Sequence, residues 1–113
     1  VLRDGSLYQL TEDHTWGNAL ARLGQEEVAE SLENLLTRAI GTEDSRPDIG
    51  GVALQPGDTV AMVTDGIYKE LADEEIALAI EVKDVTTAAD CLLQLCQRRG
   101  MRDNGTAIVA RLR

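Results

Sequence analysis

Two short acidic turns hold the residues best suited to chemistry. Asp65-Gly66 follows the apolar run Thr59-Val60-Ala61-Met62-Val63-Thr64, and Asp103-Asn104-Gly105 precedes a second strand-like run, Thr106 to Leu112. If two strand ends place Asp65 and Asp103 side by side, the pair suits a hard cation such as Mg²⁺ or Mn²⁺, which takes few protein oxygens and keeps water in its shell. Asp-Gly and Asn-Gly are also ordinary turn sequences, chosen for backbone conformation, so spacing alone leaves both readings open. His14 is the single histidine. It has the chemistry of a general acid, but a lone histidine is more often a surface or hydrogen-bonded residue. Arg38 and Arg46 have the charge to meet a phosphate, and equally to form surface ion pairs. Cys91 and Cys96 lie five apart on an expected helix, pointing in different directions. With no second pair or nearby His to make a zinc set, they read as small core residues in a reducing, cytoplasmic compartment.

The elements that must position these residues follow from patterning. Arg3-Asp4-Gly5-Ser6 reads as a hairpin turn between Leu2 and the segment Leu7 to Thr11. Thr15 can cap a helix over Trp16 to Leu23, stopped by Gly24. Val28, Leu32, Leu35 and Leu36 form the stripe of a second helix, after which Leu36 to Ile40 alternates like a strand. Residues 42–51 read as loop, Val52-Ala53-Leu54 as a short strand and Gln55-Pro56-Gly57-Asp58 as a turn. Thr59 to Thr64, apolar on both faces, reads as a buried central strand. Asp73 is expected to cap a helix with Glu74 and Glu75 in its first turn, and Thr87 with Asp90 to open the next, which Gly100 ends. Ala107, Val109 and Arg111 alternate with Ile108, Ala110 and Leu112 in a last strand. Tight turns favour antiparallel pairing, so the fold class is α+β, an antiparallel sheet with covering helices.

Composition narrows the functions. The chain has 113 residues, 11 basic and 20 acidic, for a net charge of −9. That charge disfavours nucleic acid, whose affinity comes from Lys and Arg on phosphates, and anionic membrane surfaces. Tyr8, Trp16 and Tyr68 are the only aromatics, too few for a base-stacking platform. No apolar run is long enough to span a bilayer. The chain opens at Val1 inside strand-like sequence, which suggests a trimmed or partial chain.

Gly57-Asp58-Thr59-Val60-Ala61-Met62-Val63-Thr64-Asp65-Gly66-Ile67 resembles the strand-to-metal segment of the PPM family, the metal-dependent protein phosphatases of the 2C type. Thr64 stands where that family usually has Ser, and Ile67 where it usually has Leu. Three further segments resemble the family in the same order: Leu10-Thr11-Glu12-Asp13-His14-Thr15, Leu36-Thr37-Arg38-Ala39-Ile40-Gly41, and Asp103-Asn104-Gly105-Thr106 with its strand. The resemblance implies that Asp65 and Asp103 ligate one ion of a two-metal Mn²⁺ or Mg²⁺ centre that activates water against a phosphoserine or phosphothreonine. It implies that Gly66 permits a sharp turn beside the ion, that Asn104 braces its turn, and that His14 belongs to a structural segment. It places residues 16–51 in a flap-like region near the active site, where Trp16 either packs or touches substrate.

The family's N-terminal half, with its Asp-Gly-x-Gly-Gly-type segment and further metal ligands, has no counterpart here. The resemblance thus makes residues 1–113 the C-terminal portion of a phosphatase domain, part of an α/β/β/α sandwich. No catalytic residue is assigned within the chain, which alone is expected to be inactive. The expected partners are a phosphoprotein substrate and the missing half, with a homodimer through exposed sheet as another association. The alternative is a non-catalytic, pseudophosphatase-like regulatory or partner-binding half-domain.

Overall fold

Asp4 and Gly5 both take positive φ, 49° and 76°, the backbone of a two-residue turn whose twist matches paired strands. This turn joins β1 (Leu2–Arg3) to β2 (Ser6–Leu7) with Leu2 opposite Leu7. Reciprocal 2.8 Å hydrogen bonds between Val1 and Tyr8 carry the pairing one residue further. These details come from a computed structural model of residues 1–113, which describes every backbone position and all side chains except those of Val28 and Glu30.

β3 (Thr59–Val63) pairs antiparallel with β1 on one side and with β4 (Ala107–Arg111) on the other. The sheet order is β2-β1-β3-β4. Successive side chains in a strand point to opposite faces. Ala61 and Val63 share one face with their neighbours Ala107 and Val109, and these pack against the core. That core contains Leu2, Ile67, Leu71, Ile76, Ile80, Leu92 and Cys96. The helices supplying it are α3 (Asp65–Tyr68), α4 (Asp73–Glu81) and α5 (Val85–Arg98). The fold is therefore α+β, as the turn chemistry implies.

β3 is central in the sheet, but it is not buried on both faces. Met62 and its cross-strand partner Ile108 are 56% and 55% exposed, because these helices cover one face only. Val52-Ala53-Leu54 is not a strand: the Ala53 carbonyl accepts from Arg3 Nη2 at 2.9 Å instead of joining a ladder. Asp73 is the first helical residue rather than the cap. Ala72 holds the cap position, and Glu75 Oε2 accepts from its N–H at 2.9 Å. α5 starts earlier than Thr87, with Asp84 as cap, whose Oδ1 accepts from the Thr87 N–H and hydroxyl, both at 2.8 Å. Gly100, at φ 88°, ends that helix. Both cysteines lie on α5 as free thiols, Cys96 buried and its thiol pushed up by burial.

Two polar devices fix the sheet. Asp58, 2% exposed at the start of β3, takes Arg3 in two contacts of 2.9 and 2.6 Å and also the Gln55 N–H at 2.8 Å. These donors hold its carboxyl at about 2. Arg111 on β4 reaches across to the end of α4. Its guanidinium donates to the carbonyls of Ile80, Glu81, Val82 and Lys83, and its Nε to Thr59 Oγ1. It satisfies carbonyls that a helix end leaves without partners.

The chain divides into two compact units, Val1–Gln9 with Ala53–Arg113, and Leu10–Val52. The second unit holds α1 (Trp16–Ala21) and α2 (Glu26–Ser31). Thr15 caps α1 by accepting from Asn18 N–H at 3.1 Å. Gly17 is where the two helices meet: an added Cβ would lie 2.8 Å from Ala29 O of α2 and 2.7 Å from Glu33 Cα just beyond it. α2 is shorter than its apolar stripe. It ends before Leu32, and Leu35 and Leu36 lie beyond it, more than half exposed. The Leu35 and Leu32 carbonyls accept instead from Trp16 and Gly17 N–H. Val28 of that stripe lies outside the described side chains. Leu36 to Ile40 makes one isolated bridge, Thr15 to Leu36, and no strand.

Candidate metal centre

The ladder between β3 and β4 does not stop at Val63. Thr64 N–H donates to Thr106 O at 3.1 Å, and Thr106 N–H donates to Thr64 Oγ1 at 3.0 Å. The same hydroxyl lies 3.5 Å from Asn104 O. One more residue along each chain come Asp65 and the Asp103-Asn104-Gly105 turn. A Cβ on Gly66 would sit 2.3 Å from Asn104 O and 3.4 Å from Asp103 C. No side chain fits there, so the two turns touch backbone to backbone. The fold thus brings Asp65 and Asp103 to the same end of two adjacent strands.

The two carboxylates are held alike. Asp65 Oδ1 accepts from Gly66 N–H at 3.0 Å, and Asp103 Oδ1 from Asn104 N–H at 2.7 Å. At Asp65 the second oxygen faces a cation, Lys69 Nζ, 3.4 Å away. Asp65 is the first residue of α3, a short helix absent from the sequence expectations. That omission hid Lys69, since residues four apart share a helix face. Glu70, also missed, anchors the segment that leads into the Asp103 turn. Its carboxylate accepts from Arg102 Nε at 2.9 Å, next to Asp103, and its carbonyl accepts from Arg99. Asp103 also lines a groove of about 670 Å³ with Leu93, Gln97 and Met101.

Donor chemistry fits a hard divalent ion in part. Carboxylate oxygens are the right type, and a cation already rests on one of them. Among the described residues, no group of three or more His, Cys, Asp or Glu side chains is placed to hold a metal. Two carboxylates supply part of a six-oxygen shell.

The remaining candidates lie in the Leu10–Val52 unit, where His14, Arg38 and Arg46 pair with carboxylates of the same unit. His14 Nε2 is 2.8 Å from Asp48 Oδ2, and Arg38 Nη1 donates to Asp48 Oδ1 at 2.9 Å. Arg46 pairs with Asp44 at 3.0 Å and holds that carboxyl at about 2. Trp16 is about half exposed. Among the described residues, no helix is long and apolar enough to cross a membrane.

No protein-family model matches the chain. The serine/threonine protein phosphatase PstP of Mycobacterium tuberculosis is 31% identical over 114 residues, covering 97% of this chain and 22% of PstP. Protein phosphatase PhpP of Streptococcus pneumoniae is 32% identical over 113 residues, covering 94% of this chain and 46% of PhpP. The crystal structure of the M. tuberculosis PstP phosphatase matches with a TM-score of 0.87 at 33% identity, over 98% of this chain and 49% of that one. A structure of the PstP catalytic domain in complex with two manganese ions matches with a TM-score of 0.85 at 32% identity, over 97% and 47% of the two chains. The chain spans half or less of each of these relatives. By sequence and by fold, it is homologous over nearly its whole length to the PPM-type serine/threonine protein phosphatases, and it corresponds to part of one.

Proposed function

We propose that residues 1–113 form the C-terminal portion of a PPM-type phosphatase domain acting on phosphoserine and phosphothreonine in proteins, with 16–51 as a flap-like region. The observation that carries this reading is the contact between the Asp65-Gly66 and Asp103-Asn104 turns. In it, Asp65 and Asp103 bind one divalent ion, Mn²⁺ or Mg²⁺, and an N-terminal half supplies the other ligands. Bound metal would supply charge neutralisation for the phosphoryl oxygens and activation of the attacking water. The chain's own residues set the geometry. Thr64 locks the two turns through its hydroxyl, Gly66 allows their approach, and the Glu70–Arg102 pair steadies the Asp103 loop.

The exposed face of β3 and β4, with Met62 and Ile108, is the surface on which the other half would pack. Without that half, a second copy of this chain is the occupant of the same face. Two unpaired thiols on α5 support a reducing compartment, and cytoplasmic location, for the protein.

The experiment is hydrolysis of a phosphothreonine peptide with Mn²⁺. The 113-residue chain alone is expected to be inactive, and the domain completed by its N-terminal half active. In that domain Asp65→Ala and Asp103→Ala should each remove most of the Mn²⁺-stimulated turnover while the fold persists. Near-normal turnover in both variants would sink the assignment. A completed domain that binds a phosphoprotein without hydrolysing it would favour the non-catalytic reading.

A further inference from the structure

Lys69 is a cation in direct contact with the candidate centre that the metal reading does not use. Its Nζ lies 3.4 Å from Asp65 Oδ2, while Asp65 Oδ1 takes the Gly66 N–H. Lys69 sits four residues after Asp65, on the same face of one helical turn, and its N–H donates to the Asp65 carbonyl at 3.0 Å. The ammonium is therefore held at the carboxylate by backbone geometry as well as by charge. Both groups are partly exposed, at 32% and 47%, so the contact can open when another cation arrives.

We infer that Lys69 is a built-in counter-ion that competes with the metal for Asp65, and so sets how tightly the centre takes a divalent ion. The inference rests on the reading of Asp65 and Asp103 as metal ligands. Its physical basis is simple. A divalent ion on Asp65 Oδ2 meets an ammonium within a few ångströms and must displace it or bear the repulsion. Removing the positive charge relieves that repulsion. Reversing it adds a third carboxylate to a site that has two.

The test is a Mn²⁺ titration of the ¹⁵N-labelled chain, following paramagnetic broadening of the Gly66 and Asn104 amides. Lys69→Met keeps the length of the side chain without its charge, Lys69→Arg keeps the charge, and Lys69→Glu reverses it. The Mn²⁺ concentration for half-broadening should fall roughly three- to tenfold in Lys69→Met, the size expected for one unit charge acting on a divalent ion in mostly aqueous surroundings. It should fall further in Lys69→Glu and stay within twofold in Lys69→Arg. Raising the salt to ~1 M should shrink these differences. In an Asp65→Asn background, Lys69→Met should change nothing. Equal half-broadening concentrations in all the Lys69 variants would overturn the role of Lys69 alone. Absence of selective broadening at Gly66 and Asn104 in every variant, both in this chain and in the domain completed by its N-terminal half, would overturn the metal reading, and this inference with it.

Discussion

The two units of the chain are stabilised in different ways. The unit of residues 1–9 and 53–113 has a sheet, three helices and a core in which Ile67, Ile80, Leu92 and Cys96 are wholly buried. In the Leu10–Val52 unit the buried residues, among those described, are Thr15, Gly17 and Ala29, while Leu23, Ile40 and Ile49 are largely exposed. That unit is held by a helix cap, tight backbone contacts and surface ion pairs such as Arg46–Asp44. Apolar burial gives far more stability than exposed ion pairs do. The carboxylates at 65 and 103 therefore stand on the unit with the buried apolar core, and the Leu10–Val52 unit is expected to open first.

The comparison can be broken most severely at Leu92. Leu92→Ala removes a fully buried side chain and should cost about 2–5 kcal/mol in the urea unfolding of α5, read from its amide resonances. Trp16, the single tryptophan, reports on the other unit. In the unmodified chain its fluorescence transition should come at lower urea than that of the α5 amides. A single transition for both probes would show one cooperative body and remove the contrast.

Gly66→Ala should cost about 1–3 kcal/mol, since the new Cβ meets the Asn104 carbonyl and one turn must move. Amide shifts at Asp103 to Gly105 would follow that movement. Unchanged shifts there would mean the turns are not interlocked.

Acid should act next. The Asp58 carboxyl sits at about 2 in the fold against an ordinary 3.8. A folded value below the unfolded one gives stability that is present above about pH 4 and lost as pH falls through 2. The α5 transition should weaken over that window, and Asp58→Asn should flatten the dependence. Asp44 is shifted the same way, but its pair is exposed. Asp44→Asn should therefore move the Trp16 transition less than Asp58→Asn moves the α5 transition.

Thr15→Ala is the mildest change, about 0.5–2 kcal/mol from a lost cap, and should appear in the Trp16 transition only. An equal shift at α5 would merge the two units.

Much of this architecture was legible in the sequence, and where it was not, the reasons are physical. Asp4-Gly5, the apolar run Thr59 to Val63 and the Gly100 stop each encode backbone geometry locally, and the elements lie where those signals put them. Residues 28–36 misled because the apolar spacing of a helix continues past the point where the Leu32 and Leu35 carbonyls turn to other donors. The caps of α4 and α5 lie one and three residues before the expected ones: at α4 the Glu75 side chain reaches back to the Ala72 N–H, so no polar residue marks the start, and at α5 Asp84 does the capping ahead of Thr86 and Thr87. At the candidate centre, resemblance named Asp65 and Asp103, but nothing local revealed that Gly66 must be glycine because of Asn104. That contact joins residues nearly forty apart.

Arg111 has a consequence for the order of assembly. Its Nη1 and Nη2 complete the end of α4, some thirty residues earlier in the chain, and its Nε meets Thr59 at the start of β3. The last turn of α4 therefore gains its partners only when β4 has docked beside β3. Such a long-range requirement places helix completion late, after the slow closure of a large loop, and it makes a nascent chain ending before β4 an incomplete folding unit. In a ribosome-release or truncation series, the α4 end and the β3–β4 pair should become protected at the same chain length.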